Sequence, residues 1–249
     1  MIGIIGGIAP FSGIDIVQKI IQETVANTER EHLPLLLSSQ PHRIPVIEDY
    51  FNAEVDTLNP SQAIMSIVSQ LERAGVTHLV IASTIAHSPK IFDLVENEIR
   101  EKMPHISLIN VIDEVTLYIQ EHHFGSKVGI LSTKSIQNEA IFSSKLASLG
   151  IEFIESNEED QSKIQEAIFN ETFGIKNHYP PITHRAHDLI ISAAENLKKS
   201  GAQVIVLASP AFLLALRDSE MFGVPLLDPN RIVARSLIAK LAPEKLKSL

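Results

Sequence analysis

Ala74-Gly-Val-Thr-His-Leu-Val-Ile-Ala-Ser-Thr84 is matched by Ser200-Gly-Ala-Gln-Val-Ile-Val-Leu-Ala-Ser-Pro210, which sets Gly75 on Gly201 and Ser83 on Ser209 at an offset of 126 residues. A second pair keeps that offset: Met1-Ile-Gly-Ile-Ile-Gly-Gly7 resembles Lys127-Val-Gly-Ile-Leu-Ser-Thr133, with Gly3 on Gly129. Two separated matches at one spacing indicate a duplicated unit. Each member contains a short, nearly continuous apolar run, the pattern of a parallel strand covered on both faces. Outward from these, the runs Ile2–Ile5, Leu33–Leu37, Leu79–Ala82, Ile106–Ile109, Val128–Leu131, Glu152–Ile154, Val204–Ala208 and Val224–Leu227 predict eight strands.

Helix-period segments fill the intervals. Ile182, Ala186, Leu189, Ile190, Ala193, Ala194 and Leu197 share one stripe. Asn59-Pro60-Ser61-Gln62 opens another helix, with Asn as N-cap and Pro at the first helical position. Strand–helix alternation of this kind predicts an α/β fold of two similar doubly wound parallel-sheet lobes, four strands each, related as a pseudo-twofold repeat with an interlobe cleft. The last helix, with Ala234, Leu237, Ile238 and Leu241 on one face, returns to the first lobe. The expected lobes are 1–113 plus 229–249, and 114–228.

The chain has 249 residues and no cysteine, which excludes disulfides, thiolate metal sites and cysteine catalysis. A formal charge of −9 without a basic stripe argues against nucleic-acid binding. No apolar run reaches a bilayer-spanning length of about 18 residues, so no membrane partner is expected. Met1-Ile-Gly-Ile-Ile reads as a first strand and not as a signal peptide, and the expected location is the cytoplasm. Lys198-Lys199 and Lys245–Lys247 read as solvated helix ends.

Ligands of open α/β sheets bind beyond the carboxyl ends of the strands. Those ends are Gly6-Gly7-Ile8-Ala9-Pro10, Ser83-Thr84, Thr133 and Ser209-Pro210. Ser83 and Ser209 either approach a ligand from opposite sides or cap the helices that follow them. Gly7 lies in a turn suited to presenting backbone N–H groups to a carboxylate. Ser12 is either a ligand donor or the N-cap of a capping box, Ser12-Gly-Ile-Asp15. Thr84 and Thr133 offer hydroxyls to a ligand or to neighbouring backbone.

The sequence resembles the cofactor-independent aspartate/glutamate racemase family over nearly its full length. The family's Gly-Gly-Met-Gly-Pro-Leu-Ala-Thr is similar to Gly6-Gly-Ile-Ala-Pro-Phe-Ser-Gly13, and Glu31-His-Leu-Pro-Leu-Leu-Leu-Ser-Ser-Gln-Pro41 resembles its second strand. Val128-Gly-Ile-Leu-Ser-Thr-Lys134 resembles the start of the second half, and Val224-Pro-Leu-Leu-Asp228 the last strand. The resemblance implies a small carboxylate or amino-acid ligand, no cofactor and a homodimer. It also implies a two-base chemistry: one thiolate removes the α-proton of the amino acid and an opposing thiol reprotonates the other face. In the family these cysteines lie in Pro-Cys-Asn-Thr-Ala-His and Gly-Cys-Thr-Glu.

Here the first motif reads Ala82-Ser83-Thr84-Ile85-Ala86-His87 and the second Ala208-Ser209-Pro210-Ala211. Serine occupies both cysteine positions, and the neighbours differ as well. A thiol titrates at about 8.5 and is readily tuned, whereas a serine hydroxyl is no base without a partner that takes its proton. His87 follows Ser83 by four residues; no base follows Ser209. The expectation is a diverged member that binds a small carboxylate with two-thiol racemization impaired or lost. The alternative is an active cofactor-independent racemase or isomerase using Ser83, Ser209 and His87 or water. The family's carboxylate-binding arginine has no direct counterpart, which leaves Arg43 as a displaced cation. Lys176 falls near the family's cationic carboxylate binder, or is an exposed loop lysine.

Other chemistries have weaker support. The chain has no Gly-x-Ser-x-Gly elbow, and Asp93, Asp113 and Asp228 stand equally as partners for a Ser–His pair. His184-x-x-His187 lacks a third ligand, so no metal is expected.

Overall fold

The computed structural model describes residues 1–7, 10–52, 58–178 and 181–248; Ile8 and Ala9 of the first turn lie outside the described residues. The chain forms two compact units, Met1–Val115 with Asn230–Leu249, and Thr116–Pro229. In the first, β1 (Ile2–Ile5), α1 (Pro10–Glu23), β2 (Leu35–Ser38), α2 (Ile47–Asn52), α3 (Pro60–Arg73), β3 (His78–Ile81), α4 (Pro89–Lys102) and β4 (Ser107–Ile109) follow in order, and α5 (Val111–His122) begins in this unit and continues into the second. The strands make a parallel four-stranded sheet in the order β2-β1-β3-β4.

The second unit holds β5 (Val128–Leu131), α6 (Lys134–Asn138), α7 (Ser143–Ser148), β6 (Phe153–Glu155), α8 (Glu158–Phe169), α9 (His184–Lys199), β7 (Val204–Leu207), α10 (Pro210–Ala215), β8 (Glu220–Met221) and β9 (Val224–Leu227). The order is β6-β5-β7-β9-β8, parallel except for the β8–β9 pair. The α/β class with two doubly wound, parallel-dominated sheets is thus observed. The fifth strand is an addition to the four expected. Phe222 (φ 53°) and Gly223 (φ 73°) link β8 to β9 through two left-handed residues, a turn that normally announces itself with Asn-Gly or Asp-Gly.

The repeat has a packing basis. β1, β5 and β7 are buried along their whole lengths. A Cβ on Gly3 would lie 2.6 Å from a methyl of Val76, and one on Gly129 would lie 2.9 Å from the Ala202 methyl. Each glycine therefore admits the chain entering the neighbouring strand, at positions 126 apart. The predicted Asn59 cap is present, its side chain accepting from Ser61 N–H. In α9, Ala186, Ile190, Ala193, Ala194 and Leu197 are buried as the stripe requires. β2 begins two residues later than expected, after Pro34, which has no N–H to donate but accepts from Ile2 through its carbonyl.

Two expectations are corrected. Ser12 is not an N-cap: α1 already begins at Pro10, so Ser12 sits buried within the first turn. The Lys245–Lys247 segment is not a free solvated end. Val25 N–H donates to the Lys245 carbonyl, Lys247 N–H to the Glu23 carbonyl, and the Lys245 and Lys247 ammonium groups to the carbonyls of Glu31 and Gln22.

That tail follows α11 (Pro229–Leu241), which packs in the first unit against the polar stripe of α1. Asp15 accepts from Lys19 and, at 2.7 Å, from Asn230. Glu23 accepts from Arg231 and, at 2.6 Å, from Arg235. The Glu23 side chain is only 10 % exposed, and removing it takes the carboxylate away from Arg235, whose side chain is 14 % exposed and which still donates to the Lys247 carbonyl at 2.9 Å. Glu23→Ala is expected to cost about 3 kcal/mol of unfolding free energy. Arg100→Ala breaks an exposed helix pair with Glu96 and is expected to cost no more than about 0.5 kcal/mol. Chemical denaturation of the two variants checks the contrast.

Candidate functional site

Strand register brings the repeated residues to equivalent places. β1 pairs Ile5 with Ile81, and Ala82 N–H donates to the Ile5 carbonyl at 2.9 Å. Two residues beyond that pair stand Gly7 and Ser83. β5 pairs Leu131 with Leu207, and Ala208 N–H donates to the Leu131 carbonyl at 2.9 Å. Two residues beyond stand Thr133 and Ser209. Each unit therefore carries one of the two serines at a strand end, beside a partner from the adjacent strand. Gly7 is required at its place: its φ is +64°, and a Cβ there would lie 3.2 Å from the Cβ of Ser83.

Both serines occupy N-cap positions, Ser83 before the 3-10 turn Thr84–His87 and Ser209 before α10, yet neither side chain makes a capping hydrogen bond. Capping thus does not explain the two hydroxyls. Both residues are half-buried, and Thr84 is buried. Thr133 likewise precedes α6 without a side-chain cap bond and is half-buried. The Ser12 hydroxyl is buried and has no hydrogen-bond partner among the described residues. The second unit holds similar orphans that sequence reasoning missed: the hydroxyls of Ser132 and Ser156, next to the ends of β5 and β6, and the side-chain oxygen of Gln161, whose amide nitrogen donates to the Ser132 carbonyl at 3.1 Å.

The cationic candidates lie on exposed connections. Lys176 is exposed in the α8–α9 connection, its ammonium 4.4 Å from the ring centre of Phe169. Arg43 closes a 3-10 turn, Pro41–Arg43, after β2, and is exposed. No group of three or more His, Asp or Glu among the described residues is placed to hold a metal ion. No helix among them is long and apolar enough to cross a membrane.

His87 decides what acid–base chemistry the first unit can offer. Its Nδ1 lies 2.9 Å from the Ser83 carbonyl oxygen. A carbonyl only accepts, so Nδ1 carries the proton and Nε2 the lone pair. Nε2 is buried without a partner among the described residues, and the ring stacks on Phe92 with centroids 4.9 Å apart. Burial pushes the pKa down to about 4, against opposing contributions from the Ser83 carbonyl, the Asp113 carboxylate and the Thr84 backbone. Of the three aspartates open to sequence reasoning, Asp113 is the one that acts on His87. It does not complete a triad, because Nδ1 is committed to a backbone oxygen and the histidine holds the turn instead of the Ser83 hydroxyl. A base whose conjugate acid titrates near 4 is poorly matched to removing a proton from carbon at neutral pH.

The buried imidazole makes stability pH-dependent. Its folded pKa lies below the ordinary 6.5, so the unfolded chain binds more protons between those values. The stability is whole above pH 6.5 and is lost as pH falls toward 4, by about 3 kcal/mol. Urea unfolding from pH 4 to 8 is expected to show the wild type weakening on acidification relative to His87→Asn, which keeps an N–H donor but does not titrate. Parallel profiles would contradict a buried neutral histidine.

A family model described as Asp/Glu/hydantoin racemase matches residues 5–237. The chain is similar in structure to the aspartate racemase of Picrophilus torridus, with a TM-score of 0.75 and 20 % identity over 99 % of this chain and 95 % of that one. It is similar to an aspartate racemase homologue from Pyrococcus horikoshii, with a TM-score of 0.71 and 23 % identity over 96 % and 97 %. It also matches glutamate racemase from Francisella tularensis, solved in complex with D-glutamate, with a TM-score of 0.66 and 15 % identity over 100 % and 83 %. At these identities the structural likeness speaks to the fold, while the family model spans most of the sequence: the chain belongs to the Asp/Glu/hydantoin racemase family.

Proposed function

We propose that this chain binds a small carboxylate or amino acid in a cleft between lobes 1–113 plus 229–249 and 114–228, and that it has lost two-thiol racemization. The carrying observation is the pair of register-equivalent strand ends that bear Ser83 and Ser209 in a chain without cysteine. The D-glutamate bound to the Francisella enzyme supports a ligand of this chemical class. In this proposal the Gly7 turn, Ser83 and Thr84 from one lobe, and Thr133 and Ser209 from the other, hold the ligand by neutral hydrogen bonds. Ser12 contributes its buried hydroxyl, and Arg43 or Lys176 supplies positive charge for the carboxylate. A cytoplasmic homodimer without a cofactor completes the proposal, on the family resemblance.

Racemization needs a base on one face of the α-carbon and an acid on the other. A serine hydroxyl must lose its proton to a neighbour before it can act as the base. On the Ser83 side the His87 imidazole is neutral, buried and turned to the backbone. On the Ser209 side the following residues are Pro210, Ala211 and Phe212. The alternative, an active isomerase using His87 or water with the two serines, therefore finds no competent proton acceptor in His87 or in the three residues that follow Ser209.

The test incubates the protein in D₂O with L- and D-aspartate and L- and D-glutamate and follows the α-proton by NMR. The expected result is no exchange above that of His87→Ala. Exchange in the wild type that His87→Ala abolishes would establish the active reading in its place.

A further inference from the structure

Three of the buried polar atoms without a partner among the described residues belong to one hydrogen-bonded network in the second unit. Ser132 follows β5 and Ser156 follows β6, at the carboxyl ends of neighbouring parallel strands. The Gln161 amide nitrogen, from the start of α8, donates to the Ser132 carbonyl at 3.1 Å and to the Gln137 side-chain oxygen. The Gln137 amide nitrogen donates in turn to the Ser156 carbonyl at 3.4 Å. Two glutamines thus tie the two strand ends together. Left over are the hydroxyls of Ser132 and Ser156 and the Gln161 side-chain oxygen, on residues that are 0 %, 3 % and 5 % exposed. Burying such groups unmatched is costly, so each calls for a partner. An amide oxygen only accepts, and a carbonyl that accepts one bond keeps a second lone pair. The network therefore presents neutral oxygens: the hydroxyls and carbonyls of Ser132 and Ser156 and the amide oxygen of Gln161.

The surroundings are acidic. From Lys134 to Lys163 the chain carries Glu139, Glu152, Glu155, Glu158, Glu159 and Asp160 against Lys134, Lys145 and Lys163. Lys134 lies 3.5 Å from Glu158, and Lys163 pairs with Glu159 at 2.8 Å and with Asp160 at 3.2 Å, so these two ammonium groups are committed to carboxylates. Asp160, next to Gln161 in the chain, is buried and also accepts from Asn196 of α9 at 2.7 Å. Glu155, next to Ser156, is half-buried and accepts from the Ser143 hydroxyl. An anion would meet acceptors among carboxylates. Neutral oxygens that replace a hydration shell suit a monovalent ion of potassium or ammonium size. A divalent ion calls for carboxylate ligands, and the network of Ser132, Gln137, Ser156 and Gln161 contains none.

We propose that the ends of β5 and β6 hold a small monovalent cation, potassium or ammonium, on the hydroxyls of Ser132 and Ser156 and the side-chain oxygen of Gln161. Every contact that supports this lies within the second unit, so it does not depend on the ligand proposed above. Bound there, the ion would fix the end of β5, where Thr133 directly follows Ser132. Thermal unfolding of the full chain in potassium, ammonium or tetramethylammonium chloride at one ionic strength tests it. The midpoint is expected to rise with potassium or ammonium concentration and to saturate, as for a ligand that binds only the folded chain, and not to rise with tetramethylammonium. Gln161→Met and Ser156→Ala should each abolish that difference. Because either substitution can itself lower stability, wild-type crystals soaked in rubidium chloride give a direct readout, with an anomalous peak expected beside the Gln161 side-chain oxygen. Equal midpoints in all three salts, or water without an anomalous peak at that place, would overturn the proposal.

Discussion

Two backbone hydrogen bonds set the geometry on which the rest depends. Ala82 N–H donates to the Ile5 carbonyl, and Ala208 N–H donates to the Leu131 carbonyl. Each is the last rung of a parallel pair, and each fixes which residues leave the sheet side by side: Gly7 with Ser83, and Thr133 with Ser209. A one-residue slip would turn every side chain to the opposite face. The fully buried strands prevent this, and so do Gly3 and Gly129, whose missing Cβ atoms admit Val76 and Ala202. The two serines owe their equivalent placement to this lock rather than to contacts of their own.

The architecture was legible because parallel strands buried on both faces must be apolar along their whole length, and because duplication repeated the glycine and strand-end pattern at one offset. Local features with strong chemical signatures also read correctly, as at the Asn59 cap. The β8–β9 hairpin was hidden because its left-handed turn uses Phe222 where Asn or Asp would signal it. The lysine tail reads as solvated until its backbone is seen paired with the end of α1. Ser12 illustrates a boundary error of a few residues with chemical consequences: beginning the helix at Pro10 turns a capping hydroxyl into a buried one with no hydrogen-bond partner among the described residues.

The candidate site was legible as a set of residue types at strand ends, but not in its electrostatics. Sequence spacing places His87 one helical turn from Ser83 and leaves open whether the ring serves the hydroxyl. The structure turns Nδ1 to the Ser83 carbonyl, stacks the ring on Phe92 and buries it. Desolvation then outweighs the nearby Asp113 charge. A residue that looks like a general base in one dimension acts in three as a brace for the turn.

In the function proposed above, the family scaffold persists while its acid–base chemistry is lost at several positions, not through two atoms alone. Sulfur in place of oxygen at 83 and 209 would restore acidity, but Ile85, Pro210 and Ala211 would remain where the family resemblance implies Thr, Thr and Glu. The most direct measurement is α-proton exchange in D₂O by the folded double variant Ser83→Cys/Ser209→Cys, supplied with the amino acids that it binds. The account predicts a protein as stable as the wild type that still exchanges no α-protons above background. Exchange or racemization restored by those two substitutions alone would contradict it, because the missing thiols would then have been the whole of the loss.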